Sequence, residues 1–122
     1  MDKEREGKVM LLVDAKDKEF RHGDHGPKYL MQGPQSSFGL CRLRPGEVLT
    51  PHEHRIMEEI FYVLKGQLIV EIDGKKHLIE QGQMFCIEPG EFHIVSNPGE
   101  DYNEYIISCA PFAEGDKHLS HE

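Results

Sequence analysis

The chain has 122 residues, a length that suits one compact domain built on one core. Lys and Arg number 14 against 22 Asp and Glu, and the formal charge of -8 repels a phosphate backbone, which argues against nucleic acid as a partner. The opening residues, MDKEREGK, are charged and lack the apolar core of a secretory signal, and no apolar run reaches membrane-spanning length; the expectation is a cytoplasmic protein with no membrane partner.

Glycine and proline punctuate the chain, and long amphipathic helical patterns are missing, so an all-β fold is expected. GKVMLLVD (7–14) reads as a first strand. The stretch 15–28 is polar and turn-rich, and YLMQGPQSS (29–37) holds at most a short strand. FGLCRL (38–43), VLTPHEH (48–54), EIFYVL (59–64) and QLIVEI (67–72) are β-favouring segments separated by turns, and they read as a meander. Asp73-Gly74 between two apolar runs is the dipeptide of a tight type I′ hairpin. MFCIEP (84–89), FHIVSN (92–97) and YNEYIISCA (102–110) complete a series spaced as in a sandwich or small barrel.

Residues 1–37 form an N-terminal arm with the leading strand or strands, 38–110 the barrel core, and 111–122 a partly mobile tail. Cys41, Cys86 and Cys109 cannot all pair within one chain and show no zinc-site spacing, so they read as reduced structural thiols. EIFYVLKG is apolar at consecutive positions, hence on both strand faces, and its outer face needs a cover. A homodimer is the expected cover.

His52 and His54 stand two apart, which puts both imidazoles on one face of an extended segment. Imidazole is a common ligand of divalent transition metals, and two on one inward face converge if that face lines a barrel. Glu58 and Glu59 are adjacent and face opposite ways, so only one can join them.

Residues 46–66 run Gly46, five residues, His52, one residue, His54, four residues, Glu59, six residues, Gly66. This pattern resembles the first motif of the cupin superfamily at every fixed position. Residues 82–97 are similar to the second cupin motif, with Gly82 opening it, Gly90 three residues before His93, and Asn97 closing it; Gln83 and Glu88 depart from the family's usual aspartate and proline. The resemblance implies a double-stranded β-helix, a jelly-roll-like barrel, with His52, His54, Glu59 and His93 as ligands of one divalent transition metal, Mn, Fe(II), Ni, Co, Zn or Cu. It selects Glu59 over Glu58 because six residues separate Glu59 from Gly66, as the motif requires.

On that ligand set, three neutral imidazoles and a carboxylate leave a divalent site at about +1, which favours an anionic or oxygen-rich small-molecule ligand. Phe61 and Val63 share the parity of Glu59 and are expected to line the pocket. Cys41 and Arg42 have opposite parity, so one of them faces inward, and Cys41 is the pocket candidate; Arg42 and Arg44 read as outward, ion-paired residues. No catalytic side chain beyond the metal ligands is identifiable. The resemblance implies a small metal-dependent enzyme acting on a carboxylate or sugar by inner-sphere chelation, of the dioxygenase, decarboxylase or isomerase type. The alternative is a non-catalytic cupin that binds or senses a small molecule or the metal itself.

Overall fold

The computed structural model describes residues 10–120. Among these residues eight strands form two sheets: β1 (Gly26–Gln32), β2 (Ser37–Arg42), β3 (Glu58–Lys65), β4 (Gln67–Ile72), β5 (Lys75–Glu80), β6 (Met84–Ile87), β7 (His93–Ser96) and β8 (Glu104–Ala110). The larger sheet has the order β1-β2-β8-β3-β6 and the smaller β5-β4-β7, and every strand pairing is antiparallel. This is the expected all-β, jelly-roll-like barrel. Among the described residues no helix is long and apolar enough to cross a membrane.

Alternation explains how the strands close on a core. β8 is buried at Tyr105, Ile107 and Cys109, β3 at Glu59, Phe61 and Val63, and β2 at Ser37, Gly39 and Cys41. The ladders align these rows, with Cys41 opposite Tyr105, Glu59 opposite Cys109 and Phe61 opposite Ile107. From the smaller sheet, Leu68, Val70 and Val95 meet them. Each fully buried Leu, Val or Phe contributes about 1.5–3 kcal/mol relative to exposure.

The β4–β5 hairpin turns on Asp73 and Gly74, at φ 53° and 76°, the left-handed pair that a type I′ turn requires. Two buried asparagines tie the loops at one end of the barrel. Asn103 accepts from Leu43 N at 2.9 Å and donates to Gln67 O at 2.8 Å. Asn97 donates to the carbonyls of Leu43, Arg44 and Asp101.

Four expectations are corrected. Residues 10–14 do not form the strand expected over 7–14, and residues 7–9 lie outside the described residues. The first strand instead begins at Gly26, inside the stretch read as turns. Pro27, which has no N–H, is tolerated because β1 is an edge strand. The meander is also overturned, since β8 inserts between β2 and β3, and β3 and β4 belong to different sheets. Finally, 48–54 is not a strand: it makes only single bridges, Val48 to Ser96, His52 to His93 and Glu53 to His118. Pro51 lacks the N–H that a continuous ladder would need.

Candidate metal centre

His52, His54, Glu59 and His93 come from three separate segments and meet inside one end of the barrel. The bridge His52 N to His93 O (3.1 Å) and His93 N to His52 O (2.9 Å), with Gly90 N to His54 O (2.7 Å), sets the loop at 52–54 against the start of β7. Glu59 enters from the inward row of β3. All four are buried, at 8%, 9%, 4% and 0% exposure in chain order. Glu58 is exposed on the opposite face of β3.

The side chains are close packed. His54 Nε2 lies 3.3 Å from Glu59 Oε2, and His93 Nε2 lies 3.3 Å from Glu59 Oε1. His52 and His93 have ring centroids 4.5 Å apart. Ligand atoms of His52, Glu59 and His93 all lie within 4.8 Å of one another, and His54 joins this trio through Glu59.

The outer nitrogens fix the protonation pattern. Nδ1 of His52 meets Thr50 O (2.8 Å), Nδ1 of His93 meets Glu91 O (2.8 Å), and Nδ1 of His54 meets Asp116 O. A carbonyl oxygen only accepts, so each Nδ1 carries the hydrogen and a neutral ring turns the Nε2 lone pair inward. His54 Nε2, His93 Nε2 and Glu59 Oε1 are buried with no hydrogen-bond partner. Lone pairs facing a carboxylate in a buried space repel unless positive charge lies between them, either protons on the rings or a cation. These residues therefore fit a divalent ion. Their donor set, imidazole nitrogen and carboxylate oxygen, suits the transition series.

Burial, with the neighbouring His93, pulls His52 down to about 4, so its ring is neutral at neutral pH. Burial alone would raise the Glu59 carboxyl, but its contacts with His54 and His93 outweigh burial and hold it at about 2. For His54, burial works downward, and the Glu59 contact reverses it to a net rise.

A cavity of about 420 Å³ opens above these groups, large enough for a small metabolite. Cys41 and Phe61 are among the residues around it, and Phe61 stacks on Phe85 at 4.5 Å with planes 7° apart. Val63, fully buried, packs in the core cluster and is not among the lining residues. Arg21 and Lys117 contribute to the cavity wall, and neither has an ion-pair partner among the described residues. Arg42 and Arg44 point elsewhere, as expected, and pair with Glu104 (3.5 Å) and Glu47 (3.9 Å).

Sequence reasoning missed two contributors. Cys109, read only as a structural thiol, places Sγ 3.7 Å from Glu59 Oε2, and its parity with Tyr105 and Ile107 on β8 was the available signal. Asp116, in the stretch read as a partly mobile tail, is 5% exposed and contacts the loop after His54. No periodic pattern marks it.

The cupin domain family matches residues 39–108. Over 82 residues the chain is 33% identical to polyketide synthase CurC of Streptomyces cyaneus, covering 66% of this chain and 53% of that protein. Over 79 residues it is 29% identical to an oxalate-binding protein of Thermotoga maritima, covering 65% of each. The aligned stretches span little more than half the length of the first curated relatives it matches. Among solved structures, KdgF from a Halomonas species superposes with a TM-score of 0.75 at 20% identity, covering 87% of this chain and 97% of that one. Because the family match takes in more than half of the 122 residues and the double-sheet barrel is the fold it implies, this chain belongs to the cupin family.

Proposed function

We propose that the protein is a metal-dependent cupin that holds one divalent transition ion through His52, His54, Glu59 and His93 and binds a small anionic, oxygen-rich metabolite in the cavity above it. The carrying observation is the set of buried, partnerless Nε2 and carboxylate atoms turned toward one another. An ion held there supplies Lewis acidity to the oxygen groups of a chelating ligand.

The chain's own residues supply the rest. Neutral His52 and ionised Glu59 are in the forms that ligate a cation. Phe61, Leu49 and Val95 line the cavity with apolar surface and keep water from the charged groups. Arg21 and Lys117 bring positive charge to a chain that is otherwise strongly acidic, which favours a carboxylate over a neutral ligand. The reaction types that suit such a site are oxygenation with decarboxylation, and isomerisation of a carboxylate or sugar.

A second reading, binding without turnover, draws support from the relative described as an oxalate-binding protein. The two separate in one experiment. Protein purified without added metal is analysed for bound ions, then screened against hydroxy acids, keto acids and sugar phosphates for oxygen uptake, product formation and thermal stabilisation. Turnover that disappears in His54→Ala supports the enzyme, while stabilisation with no turnover on any compound supports the binder.

The proposal includes a homodimer. On the outer face of the larger sheet, Leu40, Ile106, Tyr62 and Met84 align in one cross-strand row, and Phe38, Ser108, Ile60 and Cys86 in the next. Phe38, Tyr62, Leu64 and Met84 are exposed on the isolated chain, an apolar patch of the kind that marks an interface. Light scattering on wild type and Tyr62→Lys tests it, with a dimer expected for the first and a monomer for the second.

A further inference from the structure

His52 and His93 find the carbonyl that holds Nδ1 two residues back in their own loops, at Thr50 and Glu91. His54 finds its carbonyl at Asp116, 62 residues along the chain, after β8 has ended. Asp116 also lies outside residues 39–108, so the stretch matched to the cupin domain contains all four proposed ligands but not the group that orients one of them.

Asp116 is itself fixed by its carboxylate. Oδ1 accepts from Arg55 N at 3.0 Å, and Oδ2 accepts from Ile56 N at 2.8 Å and Met57 N at 2.9 Å. Those are the three amides that directly follow His54. Neighbouring contacts reinforce the attachment: Glu53 and His118 exchange two backbone hydrogen bonds of 2.9 Å, and Arg55 Nη2 donates to Ser120 O at 2.8 Å. One residue thus grips the loop twice, through its carboxylate on the backbone and through its carbonyl on the ring.

We propose that Asp116 is a positioning residue for the metal centre: its carboxylate docks residues 113–118 on the 55–57 loop, so that its carbonyl holds His54 as the Nδ1–H tautomer with Nε2 turned into the cavity. The chemical reason is that an imidazole without this acceptor is free to flip or to carry its hydrogen on Nε2, and either change removes a lone pair from the site. The affinity consequence rests on the metal reading above; the tautomer consequence does not.

The test uses the full chain. In the metal-free protein, nitrogen-15 histidine spectra taken where the rings are neutral are expected to show His54 as the pure Nδ1–H tautomer. Asp116→Ala should convert His54 to a mixture and leave His52 and His93 unchanged. Calorimetric titration with Zn(II) should show that Asp116→Ala binds about 10–100-fold more weakly than wild type. A variant that melts earlier yet keeps the His54 tautomer and a wild-type Zn(II) affinity would show that Asp116 only braces the fold, and it would overturn the proposal. If Asp116→Ala fails to fold, Asp116→Asn, which keeps one acceptor oxygen, is read the same way: a tautomer mixture supports the role and an unchanged spectrum overturns it. Should wild type bind no Zn(II), the metal reading fails, while the spectra still decide the role of Asp116.

Discussion

Cys109 Sγ lies 3.7 Å from Glu59 Oε2 inside the barrel because the two residues are cross-strand partners in the β3–β8 ladder. The thiol is therefore held against a carboxylate. Burial, with the charge of Glu59, pushes it up to about 12, and burial raises Cys41 to about 11. Both are protonated at neutral pH and poor nucleophiles. Iodoacetamide is expected to leave Cys41 and Cys109 unmodified in native protein and to label them only after denaturation, as read by mass spectrometry. Native labelling of Cys109 at the rate of a free thiol contradicts the geometry.

The parity of β3 makes a sharper demand. Glu59 points inward at 4% exposure while Glu58 is exposed on the other face. Glu59→Ala is expected to weaken Mn(II) or Zn(II) binding by about 100-fold or more, because it removes the one anionic ligand, whereas Glu58→Ala changes it by less than about twofold. Titration calorimetry on the two variants decides, and equal effects are incompatible with this arrangement.

Two glycines of the motifs differ in what a methyl group would meet. Both have positive φ, +77° at Gly66 and +85° at Gly82, but a Cβ on Gly66 would stand 3.1 Å from Asn103 Cβ, and one on Gly82 meets nothing within 4 Å. Asn103 cannot retreat without losing its bonds to Leu43 and Gln67. Gly82→Ala therefore costs backbone strain of about 1 kcal/mol, and Gly66→Ala about 2–3 kcal/mol. Urea denaturation of both variants measures the difference.

The loop that carries Arg21 to the cavity wall is latched by Asp24, which meets His25 Nδ1 at 2.8 Å and accepts from Tyr102 Oη at 2.7 Å. The His25 contact first, then Tyr102, lowers its carboxyl from 3.8 to about 2. A folded pKa below the unfolded one stabilises the protein above the unfolded value, and that contribution fades as pH falls through the folded value. Asp24→Asn is expected to be less stable than wild type at neutral pH, with the gap shrinking as the pH drops below about 4. The gap is small because the latch is exposed to solvent. Urea midpoints at a series of acid pH values test the sign, and a gap that widens toward acid contradicts it.

Local signals made much of the barrel legible in the sequence. Asp73-Gly74 announces its hairpin because few dipeptides accept two left-handed residues, and the period of two on β3 and β8 separates inward from outward side chains without knowledge of their partners. What was not legible depends on contacts between distant residues. Strand β1 begins with Gly26-Pro27, a turn signature in isolation, and is a strand only because β2 lies beside it. The insertion of β8 between β2 and β3 leaves no local trace. The same holds at the site: Glu59 is selected by spacing and parity, whereas Asp116 reaches the His54 loop from about 60 residues away, its carboxylate on the loop amides and its carbonyl on the His54 ring, and neither contact leaves a local pattern in the sequence.

The central claim is that Nε2 of His52, His54 and His93 and the Glu59 carboxylate hold one divalent ion. Anomalous difference density from crystals grown with Mn(II) or Zn(II) tests it most directly. The account predicts a single strong peak bounded by those four side chains and lost in His93→Ala. A peak at other residues, or none at the four under saturating metal, would contradict it.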